Sequence, residues 1–136
     1  MEESTKLGSF EANNLSASLS VKDIHESLAW YNGVLEFAIH KKYERDGKLF
    51  AVSLKAGTVR LLITQDDGAK GMDRSKGEGF SLQMTTDQSI DNIADRIKKL
   101  EGILDSEPTD TPWGARMFRL RDPDGFKFVI SSMTAA

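Results

Sequence analysis

Met117-Phe118-Arg119-Leu120-Arg121-Asp122-Pro123-Asp124-Gly125-Phe126-Lys127-Phe128-Val129-Ile130 consists of two alternating runs about a turn. Proline presets φ and glycine supplies φ > 0, so Asp122-Pro123-Asp124-Gly125 predicts the turn of a hairpin. Phe118 and Leu120 alternate with arginines, and Phe128 and Ile130 with Lys127 and Val129, which gives each strand one face to bury. Many β proteins contain such a hairpin. This one decides the fold because it closes the second of two similar halves.

The first half runs from residue 15 to 65. Ala17, Leu19 and Val21 alternate with serines and predict a strand. Asp23, with Glu26 three residues on, opens a helix whose apolar face is Ile24, Leu28, Tyr31 and Leu35. Period two returns from Phe37 to Glu44. Asp46-Gly47 then makes a hairpin turn, Phe50, Val52 and Leu54 mark a strand, and Val59, Leu61 and Ile63 mark another beyond Ala56-Gly57. Residues 66–78 are glycine-punctuated and charged, with no apolar period, and read as a linker. The second half, 79–132, repeats the order. Phe80, Leu82 and Met84 predict a strand, Ser89 caps a helix faced by Ile90, Ile93, Ala94, Ile97 and Leu100, and Gly102 is expected to end it. Ile103-Leu104 begins a short strand, Pro108 to Trp113 reads as a loop, and the hairpin follows. The expected fold is α+β: a single domain of two β-α-β-β-β modules, with curved mixed sheets enclosing a cavity and the helices outside.

Composition bounds the function. The 136 residues suffice for one core without staples, and the formal net charge of −3 offers no basic surplus for nucleic acid. The absence of cysteine excludes disulfides, thiolate metal sites and a Cys nucleophile, and agrees with a cytoplasmic location. The polar start, Met1-Glu2-Glu3-Ser4-Thr5-Lys6, is not the pattern of a signal peptide, and no run is long enough to cross a membrane.

Leu19-Ser20-Val21-Lys22-Asp23 leading into Ser27-Leu28-Ala29-Trp30-Tyr31-Asn32-Gly33-Val34-Leu35, and Trp113-Gly114 followed by Arg121-Asp122-Pro123-Asp124-Gly125, resemble the opening and closing signatures of the vicinal oxygen chelate superfamily. This is the glyoxalase, bleomycin-resistance and extradiol-dioxygenase group, and the resemblance covers about residues 15–132. It implies a homodimer with a cavity within a chain or between chains. One departure is structural: Glu36 stands where the family has glycine, so either the helix ends early or Glu36 bears backbone strain.

The larger departure is chemical. The resemblance places the four metal-ligand positions of metal-dependent members on Ser16, Leu62, Gly79 (or Phe80, one register on) and Val129. None of these suits a catalytic divalent ion. The two histidines, His25 and His40, fall outside these positions and read as exposed. No metal and no cofactor is therefore expected.

If Ala17, Leu61, Leu82, Phe118 and Phe128 face the helices, alternation puts Ser16, Ser18, Arg60, Leu62, Thr64, Ser81, Gln83, Met117, Arg119, Lys127 and Val129 on the concave face. The expected ligand-binding set is Ser16, Ser18, Arg60, Leu62, Gln83, Met117, Arg119 and Val129, with Trp113 added by the resemblance. Its cations are either wetted or acid-paired at strand ends, or neutralised by an anionic guest. Three classes of function are in view, and the loss of all four ligand residues favours the first. The first is a metal-free small-molecule binder of the glyoxalase/bleomycin-resistance type, with a small-molecule partner and neither nucleic acid nor membrane. The second is a lyase, isomerase or dioxygenase: metal-dependent if the ligand register is misread, or metal-free through acid–base groups such as Glu44 or His40. The third is a dimeric scaffold or regulator without a ligand.

Overall fold

The computed structural model describes residues 8–133. Strand β1 (Ala17–Val21) leads into helix α1 (Ile24–Gly33), followed by β2 (Ala38–Arg45), β3 (Lys48–Ala56) and β4 (Val59–Gln65). The order recurs as β5 (Leu82–Thr85), α2 (Ile90–Lys99), β6 (Leu104–Asp110), β7 (Ala115–Arg121) and β8 (Lys127–Met133). Each half makes a curved four-stranded mixed sheet, ordered β1-β4-β3-β2 and β5-β8-β7-β6. In both, the first strand lies parallel to the last and the remaining neighbours are antiparallel. This is the α+β architecture of two βαβββ modules. No helix among the described residues is long and apolar enough to cross a membrane.

Alternation sets the faces. On β4, Leu61 and Ile63 are buried while Arg60 is exposed and Leu62 half-buried. On β7, Phe118 and Leu120 are buried while Arg119 and Arg121 are exposed. Leu19, Val21, Ile24, Tyr31, Val52 and Ile63 from the first module join Ile90, Ile97, Phe118, Leu120 and Phe128 from the second in one hydrophobic cluster. Removing these faces from water is the main stabilising term. The Asp23 side chain accepts hydrogen bonds from the N–H groups of His25 and Glu26, and Ser89 from that of Asn92, so both expected caps are made.

Several local expectations need correction. The strand expected from Phe80 begins only at Leu82, because Gly79, with φ of 83°, and an exposed Phe80 belong to the incoming turn. Pro108 lies inside β6, not in a loop. That strand is at the sheet edge and irregular in register on both sides of Ser106, which accommodates a residue without an N–H. Gly102 is not the left-handed residue that ends α2. Glu101 is, with φ of 69°, and the Gly102 N–H then donates to the Ile97 carbonyl at 2.8 Å. Gly102 is needed for space: a Cβ there would sit 2.5 Å from Ile97 Cγ2 and 2.7 Å from Val34 Cγ1. After α1 both readings hold: the helix ends early, at Gly33, and Glu36 takes a left-handed φ of 62°.

The closing turn ties the modules together. Gly125 has φ of 101°, as a turn glycine should, and the buried Asp122 organises the rest. Asp122 Oδ1 accepts the N–H groups of Asp124 and Phe126, and Oδ2 accepts the Tyr31 hydroxyl of α1 at 2.7 Å. Burial pushes the Asp122 carboxyl above its ordinary range, against these three donors, which favour the ionised form. Asp124 Oδ2 accepts the Lys22 N–H at the end of β1.

The segment between the modules is docked as well. Asp66 accepts Lys76 Nζ at 2.7 Å and the Gly68 N–H at 2.9 Å, and these bonds lower its carboxyl to about 2. Gly77 is buried against the hairpin turn, where a Cβ would come within 2.8 Å of the Gly125 carbonyl oxygen.

Candidate functional site

Among the described residues the two sheets share no ladder. Edge strands β1 and β5 flank a cleft of about 540 Å³. Its apolar wall includes Leu15, Ala17, Leu61, Leu82, Met84 and Phe128, and its polar groups include Ser16, Thr58, Arg60, Ser81 and Gln83. Beyond Phe37, Val59 and Met84, which line both, lies a second hollow of about 660 Å³. The Arg96–Glu36 ion pair, at 2.6 Å, stands on the wall of this second hollow. The seam between the modules is therefore open on both sides of a shared apolar partition. An apolar wall with a few convergent polar groups is the usual composition of a small-molecule site.

Arg60 is the distinctive group. In register it lies directly opposite Lys55 of β3, and among the described residues neither cation has an ion-pair partner. Like charges opposite one another across a ladder destabilise it. Four other arginines are engaged: Arg74 with Asp66, Arg96 with Glu36, Arg121 with Asp105 at 2.9 Å, and Arg116 with Asp91 and Asp110. Arg45 and Arg119, like Arg60, have no ion-pair partner among the described residues, but neither lines this cleft. An anion beside Arg60 would remove this repulsion, and a guanidinium can hold a carboxylate through two parallel hydrogen bonds.

Of the expected ligand-binding residues, Ser16, Arg60 and Gln83 come together in this cleft. Ser18 and Leu62 pair with each other between β1 and β4, and Gln83 pairs with a buried Val129 between β5 and β8, but Ser18, Leu62 and Val129 are not among the residues lining the cleft. Met117 and Arg119 lie on β7, two strands in from the seam, and Trp113 is 67% exposed on the turn before β7. Arg60 and Arg119 thus share a face type but not this cleft. Sequence reasoning missed Ala17, Leu61, Leu82 and Phe128 as lining residues by assigning them to the helix side. Half-burial of Ala17 and Leu82 reflects their place at the seam, and periodicity reports a face without reporting which strand is an edge.

The inherited ligand positions do not fit a divalent ion. Ser16 is at the cleft, Leu62 is half-buried on β4, Gly79 and Phe80 precede β5, and Val129 is buried on β8. Among the described residues no three His, Cys, Asp or Glu side chains cluster to hold a metal. His25 and His40 are both exposed, on α1 and β2.

Two repeated βαβββ modules with a cleft at their seam define a class of small α+β proteins. The chain belongs to the Glyoxalase/Bleomycin resistance protein/Dioxygenase superfamily, whose family model matches residues 14–130. No curated protein matches the sequence. Solved structures with a similar fold include TioX from Micromonospora sp. ML1, at 16% identity and a TM-score of 0.70, covering 91% of this chain and 98% of that one. A superfamily member from Sphaerobacter thermophilus DSM 20745 is 22% identical with a TM-score of 0.70, covering 90% of this chain and 98% of the other. A glyoxalase/bleomycin resistance protein/dioxygenase from Nocardioides is 16% identical with a TM-score of 0.70, covering 96% and 89%.

Proposed function

We propose that this chain is a metal-independent binder of a small, carboxylate-bearing molecule, held at the seam between its modules. The observation that carries this reading is the unpaired Arg60 at a cleft whose remaining walls are apolar surface, hydroxyls and an amide. The donor set supports metal independence, since the inherited ligand positions hold no strong ligand. An anionic guest is favoured over a cationic drug of the bleomycin type, because Arg60 and Lys55 would repel the latter. A homodimer in the cytoplasm completes the proposal. The exposed apolar side chains Leu15, Trp113 and Met133 support association, and the absence of cysteine supports a reducing compartment.

The test combines elemental analysis of untagged protein with melting curves. No stoichiometric zinc, nickel, manganese or iron is expected, and added ions should leave the melting temperature unchanged. A panel of small carboxylates should contain members that raise it by selective binding to the folded state. Stoichiometric metal, or stabilisation by a divalent ion, would overturn the proposal in favour of a metal-dependent lyase, isomerase or dioxygenase.

A further inference from the structure

A third cavity, of about 600 Å³, lies away from the seam, where the segment after β4 folds over one end of the first sheet. Ser20 near the end of β1, Gln65 at the end of β4, Arg45 at the end of β2 and Phe50 near the start of β3 form one side. Lys70 and Arg74 project from the linker on the other.

The walls are held in place before any ligand arrives. Gln65 Nε2 donates to the Lys22 carbonyl at 2.8 Å and its Oε1 accepts the Ile24 N–H at 2.9 Å, so β4 is fastened to the β1–α1 junction. The linker is pinned at one end by Asp66 and at the other by Gly77 beneath the hairpin turn. Both ends of the segment are therefore docked, and Lys70 and Arg74 project from the stretch between them.

The charges on these walls do not balance. Asp66 is already held by Lys76 at 2.7 Å, with Arg74 standing farther off at 3.6 Å. Asp67 accepts the Ala69 N–H. Arg45 lies over the Phe50 ring, 4.5 Å from its centroid, and among the described residues neither it nor Lys70 has a carboxylate partner. Counting Lys76, four cations share two carboxylates in a chain whose overall charge is negative. Its place over the Phe50 ring leaves the Arg45 guanidinium without an ion-pair partner among the described residues, an arrangement suited to a phosphate.

We propose that this cavity binds a phosphate monoester, whose double negative charge matches the surplus, with Arg45 and Lys70 as the principal contacts and Arg74 in support. The site is separate from the seam cleft and does not depend on what that cleft takes.

Phenyl phosphate is the probe, with benzoate and phenol as monoanionic and neutral comparisons, followed by calorimetry and by amide shifts in the folded protein. Phenyl phosphate should bind about tenfold more tightly than benzoate, and phenol should not bind. Arg45→Met and Lys70→Met should each weaken phenyl phosphate binding by about tenfold at unchanged melting temperature, since both side chains are exposed. Lys99→Met, on α2, should bind as the parent does. The largest amide shifts should fall on residues 67–74. No binding at millimolar phenyl phosphate would overturn the proposal. So would undiminished binding by both cation variants, or shifts confined to the neighbourhood of Ser16 and Gln83.

Discussion

Ser27 shows how a single atom can be out of step with a fold. Its side chain is completely buried on α1, yet its hydroxyl finds no hydrogen-bond partner among the described residues. An unsatisfied buried hydroxyl carries a desolvation cost that an alanine methyl does not, and alanine is the better helix former. Ser27→Ala should therefore stabilise the protein, by about 1 kcal/mol, read from urea denaturation midpoints at constant m. A loss of stability would mean that the hydroxyl bonds water or a neighbour in solution. Strain of another kind falls on Glu36 and Glu101, which, like Asp46 in the β2–β3 turn, hold a left-handed φ, here 62° and 69°, where glycine is at ease. Each lies just beyond a helix, Glu36 three residues past the end of α1 and Glu101 two past the end of α2, so both helices are left through a left-handed glutamate, though not at the same position.

At the scale of elements, the hairpin is both the clearest signal and the least completely read one. Its strands and turn follow from alternation and from Pro123 and Gly125. That the turn's first residue, Asp122, anchors α1 of the other module does not follow, because Tyr31 lies 91 positions away in sequence. Tyr31 reads equally well as a core aromatic, and it packs as one, edge-on to Trp30 with ring centroids 4.8 Å apart. The hydroxyl adds a specific bond to a buried carboxyl. Desolvation by burial, then the Asp122 charge, push the Tyr31 phenol far above its ordinary range, so it remains a donor at any ordinary pH. Tyr31→Phe should cost about 2 kcal/mol at neutral pH, the size of a hydrogen bond to a charged acceptor. The sign of its pH dependence is fixed by the same bond. Donation by Tyr31 favours ionised Asp122, so the variant's carboxyl lies higher still than the parent's; the deficit is full above the variant's pKa and shrinks as pH falls from there towards the parent's. Denaturation of parent and variant at pH 7 and pH 4 should show the narrowing. An equal deficit at both would mean that Asp122 stays ionised throughout, or that the loss is one of packing.

For the whole molecule, pattern and pairing part company. Alternation locates Arg60 and Arg119 on corresponding faces, and the repeat suggests a shared cavity. Strand order sets them apart within their sheets: Arg60 is on β4, next to edge strand β1, whereas Arg119 is on β7, two strands in from edge strand β5. Position within a sheet is a property of the assembled topology, which a period-two pattern does not encode. Glycine-punctuated residues 66–78 likewise read as a tether, although the buried Gly77 and the Asp66–Lys76 pair dock them. These placements separate two variants that sequence alone would treat as equivalent. If a carboxylate sits at the seam, Arg60→Met removes its charged contact there and should weaken binding by about tenfold, the effect of one charge-assisted hydrogen bond pair. Arg119→Met, outside the cleft, should change affinity by less than about twofold, through the long-range field alone and in a salt-dependent way. Calorimetry with the carboxylate that most raises the parent's melting temperature makes the comparison, and circular dichroism checks the fold. A large loss in Arg119→Met with none in Arg60→Met would move the binding site from the seam to the concave face of the second sheet, where Met117 and Val129 would then line it.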